Sequence, residues 1–123
     1  MRVVLIVFFM LASTLAWAEW VKVSEIDAGV AYIDPATIGK DGNLRRVWAI
    51  QDLKQRHPNG ELSRRLLHEY DCAERRRRSL STSAHTERMA TGEVLSSSID
   101  PGNWHPVAPG TVDEAMLKIV CAR

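Results

Sequence analysis

Cysteine is nearly absent from this sequence: 123 residues contain two, Cys72 and Cys121, and no C-x-x-C pair. That leaves no thioredoxin-like redox motif and no zinc site built on paired thiolates. His57, His68, His85 and His105 are scattered, with no H-E-x-x-H and no Cys-His cluster at ligand spacing, so structural roles are expected of them and no metal or other cofactor. A G-x-S-x-G elbow and a phosphate-cradling glycine loop are also missing. With every catalytic motif absent, the chain reads as no enzyme. Charge of one sign is lacking too. Residues 1–18 hold Arg2 and no acid, so the remaining 105 residues carry 15 basic and 15 acidic side chains and are formally neutral. No global field draws them to nucleic acid or to acidic lipid.

Long apolar runs are lacking as well. The one candidate, residues 3–12, stops at Ser13, whereas a membrane span needs about 20 apolar residues. Behind Met1-Arg2 and ahead of Ala16-Trp17-Ala18, that run has the order of a secretory signal peptide, with cleavage expected after Ala18. Glu19, not a cysteine to acylate, would then come first, which argues against a lipoprotein. The expectation is a periplasmic or secreted protein of residues 19–123, with no membrane span after cleavage. A chain of that length forms one domain whose core alone gives a modest stability margin. In the oxidising exported compartment Cys72 and Cys121 are expected to pair. Closing that loop of about 50 residues is worth on the order of 4 kcal/mol in the chain-entropy model.

Strand patterns separated by turn chemistry fill most of the mature chain. Residues 20–24 alternate, residues 29–34 lead into Pro35, and Lys40-Asp41-Gly42-Asn43 is a turn signal. A strand over residues 45–54 ends before the breaker His57-Pro58-Asn59-Gly60. Next, Leu62, Arg64, Leu66, His68, Tyr70 and Cys72 share the face expected to meet the core, and Ser63, Arg65, Leu67, Glu69 and Asp71 share the other. Further strands are expected over residues 75–83 and 92–98. Only one segment reads as a helix. Thr111 and Glu114 form a capping box, and Val112, Ala115, Met116, Ile119 and Val120 make an apolar stripe. The fold class expected is α+β: an antiparallel sheet of about six strands, one C-terminal helix packed on a face, and one disulfide.

These residues resemble the surface-adhesin protein E-like domain family of Gram-negative envelope proteins. The resemblance rests on Trp20, on Tyr32-Ile33-Asp34-Pro35-Ala36-Thr37-Ile38, on Val47-Trp48, and on Glu69-Tyr70-Asp71-Cys72 followed by Arg75 to Arg78. It continues in Met89-Ala90-Thr91-Gly92-Glu93-Val94 and in Trp104-His105-Pro106-Val107-Ala108-Pro109-Gly110-Thr111 before a helix ending in Cys121. It implies a six-stranded antiparallel sheet with a C-terminal helix. It also implies adhesin-like binding of an extracellular or envelope protein partner and self-association as a homodimer. The best-known member is lipid-anchored, and this chain departs there, since Glu19 stands where the acylated cysteine would be.

Two groups are candidates for binding. The run Arg75, Arg76, Arg77 and Arg78 reads as a polyanion patch or as a solvated strand face. In an extended strand its members leave opposite faces, so the four cannot form one patch. Acids at Glu61, Glu69, Asp71, Glu74 and Glu87 lie near enough to pair with them. Trp20 and Trp104 are placed either as exposed anchors for a partner or as cover for the sheet edge. The reading is a non-catalytic binding domain; the alternative is a structural periplasmic protein with no external ligand, and an enzyme comes third.

Overall fold

Eight strands, one α-helix and two short 3-10 turns make up the described part of the chain, residues 18–123 of a computed structural model. The expected signal peptide falls almost wholly in residues 1–17, outside the described residues. The strands are β1 (Val21–Ile26), β2 (Gly29–Ile33), β3 (Gly39–Asp41), β4 (Leu44–Leu53), β5 (Ser63–Asp71), β6 (Arg76–His85), β7 (Val94–Ser98) and β8 (His105–Pro106). Helix α1 spans Val112–Cys121. Across the sheet the order is β1-β2-β4-β5-β6-β7, all antiparallel, with β3 added to β4 and β8 to β6. The expectation of about six strands with one helix holds for the main path; the two short additions were not foreseen.

Turn chemistry sets the corners. Gly42, with φ +57, takes the left-handed position between β3 and β4, so Lys40 and Asp41 belong to a strand rather than to the expected four-residue turn. After β5, the Asp71 carboxylate accepts from the backbone N–H of Ala73 at 3.2 Å and of Glu74 at 3.1 Å. This Asx-type closure puts Arg75 at φ 50, so it lies in the turn and not in the strand assigned to it from sequence. One residue of β6, Leu80, is extra to the ladder between the pairs Leu67–Ser81 and His68–Ser79. Such a bulge swaps the facing of everything beyond it.

One face of the sheet carries α1. Ile33, Val47, Ala49 and Tyr70 point to it by alternation and meet Met116, Leu117, Val120 and the loop residue Val107 in the buried core. The Tyr70 hydroxyl lies 3.2 Å from the Met116 sulfur, joining sheet and helix. The Thr111 side chain accepts from the Glu114 N–H at 3.2 Å, as the capping box predicts. The buried stripe is turned relative to the expected one: Leu117 is in the core and Ala115 only half-buried. With this turn goes the pairing of Asp113 with Arg77 at 3.1 Å. Cys72, just past β5, is bonded to Cys121 at the end of α1, with Cα atoms 5.8 Å apart. No helix among the described residues is long and apolar enough to cross a membrane.

Candidate functional site

The face away from α1 divides into a covered half and an open half. The covered half lies under residues 86–92. There the Met89 N–H donates to Asp52 Oδ1 at 2.7 Å and the Ala90 N–H to Ser63 Oγ at 2.9 Å, which satisfies two buried polar side chains of β4 and β5. Ser83 Oγ and His85 Nε2 are 2.8 Å apart beside it. Burial, with Arg65 nearby, lowers the His85 pKa. Among the described residues no group of three or more His, Cys, Asp or Glu side chains could hold a metal ion.

The open half is built by cross-strand register. Arg46 pairs with Glu69, Glu69 with Arg78, and Asp71 with Arg76, so all five side chains stand on this face. Glu69 is fully buried among them. It accepts from Arg46 Nε at 2.8 Å and from Arg78 Nε at 2.8 Å. Burial alone would raise its pKa, but the two guanidiniums reverse this and hold the carboxyl below its ordinary value. Asp71 is lowered first by the Glu74 N–H and then by Arg76, whose Nε is 3.1 Å away. Both residues stand, as expected, on the β5 face opposite that of Tyr70, and arginines lie over them.

Two tryptophans order these cations. Trp104, in the loop before β8, has the Arg76 and Arg78 guanidiniums 4.6 Å and 4.5 Å from its ring centroid. Arg65 of β5 lies 4.3 Å from the centroid of Trp48 on β4. It reaches Trp48 diagonally, because Trp48 pairs directly with Leu67. Stacking of this kind contributes about 0.5–1 kcal/mol at exposed sites and holds the guanidinium flat against the indole.

The candidates drawn from sequence are thus separated. Arg76 and Arg78 come together on the open face with Trp104. Arg77 points to the helix side, where Nη1 donates to His68 Nδ1 at 3.0 Å and Nε meets Asp113 at 3.1 Å. Arg75, in the turn, reaches Glu114 at 3.4 Å. Trp20 is half-buried at the entry to β1, away from the others in the sheet order. Arg46, Arg65 and Trp48 were not singled out beforehand as binding residues. Only the register that places Arg65 diagonal to Trp48 marks them.

A disulfide-clipped antiparallel sheet, with a helix on one face and an arginine–tryptophan array on the other, defines an α+β scaffold. The chain belongs to the surface-adhesin protein E family, whose pattern matches residues 20–122. No curated protein matches it significantly. Its fold is similar to Haemophilus influenzae protein E. The selenomethionine form of that protein aligns at a TM-score of 0.65 and 18% identity, over 84% of this chain and 85% of that one. A second structure of the same protein gives 0.62 and 18%, over 84% and 83%. Its crystal form II gives 0.60 and 19%, over 75% and 80%.

Proposed function

We propose that this chain is an exported, non-catalytic, adhesin-like binding domain of the bacterial cell envelope, and that it engages its partner through the open sheet face. Residues 1–18 act as a cleaved signal peptide, and residues 19–123 are the mature domain, periplasmic or secreted and not lipid-anchored. Family membership supports the adhesin-like role. The observation that carries the choice of face is the array of Arg46, Arg65, Arg76 and Arg78 ordered by Trp48 and Trp104, opposite the face that α1 occupies. Exposed arginine stacked on tryptophan is the composition of interface centres.

The structural alternative has one observation in its favour: each of Arg75 to Arg78 already has an internal carboxylate partner. Surface binding of the mature, oxidised domain to immobilised host matrix proteins and to envelope extract separates the two readings. The binding reading expects saturable binding that weakens in Arg65→Glu. Absence of saturable binding to either preparation overturns it. Intact mass of the exported protein should begin at Glu19, and a mature form retaining residues 1–18 overturns export by cleavage.

A further inference from the structure

The open half of the sheet shows its cations and hides its anions. The Glu69 side chain is 0% exposed and that of Asp71 10%, whereas the partners Arg46 and Arg76 are 57% and 41% exposed. Arg65 is exposed, no carboxylate among the described residues lies within ion-pair distance of it, and its guanidinium rests on the Trp48 ring. Three guanidiniums therefore stand over two buried carboxylates, with Arg65 a fourth on the same face, and approaching solute meets a positive surface on a domain that is neutral as a whole.

The cations are also strung out. They lie on three successive strands: Arg46 and Arg78 flank Glu69 two strand spacings apart, about 9.6 Å, Arg76 and Arg78 are alternate residues about 6.7 Å apart on β6, and Arg65 is four residues, about 13 Å, along β5 from Glu69. That register spreads the four too widely to close on a single phosphate. Each indole carries guanidinium on a ring face, Trp48 that of Arg65 and Trp104 those of Arg76 and Arg78, so the rings serve to orient arginines and not as platforms for stacked bases. The tryptophans are half-buried, and the exposed large apolar residues among those described, Val21, Ile26, Val94, Leu95 and Ile99, lie on β1 and at β7 and not on β4, β5 or β6.

Resting on the binding role proposed above, we propose that this face binds a polyanionic polysaccharide, an extended chain of sulfated or uronate sugars laid across β4, β5 and β6. Arg65 and the free edge of Arg46 read its oxyanions. Planar guanidinium donors held flat by an indole match sulfate and carboxylate oxygens two at a time, which a lysine cannot do.

The test is affinity of the mature, oxidised domain for heparin, for fully desulfated heparin, which keeps the uronates, and for neutral dextran. Binding to heparin that falls steeply between about 50 and 200 mM salt is expected, with none to dextran. The desulfated arm tells sulfate from carboxylate as the anion read. Arg65→Gln should weaken heparin binding about fivefold or more, and Arg65→Lys should restore it only in part. Lys118→Gln removes the same charge from the exposed surface of α1 and should change affinity less than about twofold. Heparin bound no better than dextran overturns the proposal, as do equal losses in Arg65→Gln and Lys118→Gln. Binding of single-stranded DNA or of anionic vesicles in preference to heparin also overturns it. Loss of heparin binding with matrix-protein binding intact removes this inference alone; loss of both removes the binding role as well.

Discussion

Arg78 Nη2 stands 2.7 Å from Glu69 Oε1, and the carboxylate it meets is wholly shielded from water. A charge in that position is stabilised only while both of its guanidinium partners stay in place. Glu69→Gln keeps the shape, removes the charge, and leaves two arginines competing for one neutral oxygen. We expect it to cost about 1–3 kcal/mol in urea unfolding, the scale of a lost charge-assisted hydrogen bond. A change below about 0.5 kcal/mol, typical of an ordinary surface site, would show that the arrangement contributes nothing.

Acid should unfold the domain through a small set of carboxylates. Glu61, Glu69, Asp71 and Glu114 all have native pKa values below their ordinary 4.5 or, for Asp71, 3.8. A lowered native pKa gives stability that is complete above the unfolded value and is lost as pH falls through the native one. The urea midpoint should therefore drop below about pH 4.5, and Glu69→Gln should flatten that acid limb. An unchanged acid limb in the variant would remove Glu69 from the set.

His68 should stay neutral throughout the physiological range. Burial beside Tyr70, with the Arg77 guanidinium next to it, pushes its pKa down to about 3. Arg77 can only donate, so His68 Nδ1 accepts and the ring proton sits on Nε2. Between pH 6.5 and about 3 the unfolded chain binds a proton that the native ring refuses, so this residue makes stability fall as pH falls across that window. Ring proton shifts of His68 followed by NMR should show no inflection from pH 8 to 5. An inflection near 6.5 would mean that the ring is not held this way.

Cys72→Ser and Cys121→Ser should destabilise by similar amounts, since either opens the loop of sequence separation 49. The expected loss is about 2–4 kcal/mol, read as a lower melting temperature. Unequal losses would point to contacts of the individual sulfurs instead of the closure.

Much of the scaffold was legible because its signals are local. Alternation around Tyr70, the turn at Gly42, the capping box at Thr111 and a two-cysteine count each need only a few residues to read. The strand over residues 92–98 shortens to Val94–Ser98 because Gly92, with φ +78, sits in the turn, and the start at Arg75 fails for the same kind of reason. The binding face was legible only in part. Alternation shows that Arg76 and Arg78 share a side, but which acids lie beneath them depends on pairing with β5. The placing of Arg65 against Trp48 depends on register between β4 and β5, which no single segment encodes. The partners of Arg75 and Arg77 come from α1, nearly 40 residues away in sequence, and were out of reach of any hairpin argument.

The strand order described for the sheet has a kinetic consequence. From β4 to β7 each strand pairs with the next in sequence, a meander whose hairpins close over short loops. Such pairings have low contact order and need little loop-closure entropy before they are rewarded. Docking of α1 is the opposite: Met116 must find Tyr70 across 46 residues. The sheet should therefore assemble first with its apolar side bare, and the helix should arrive late as a lid. Until then the protein is most exposed to aggregation, on the side away from the arginine–tryptophan array.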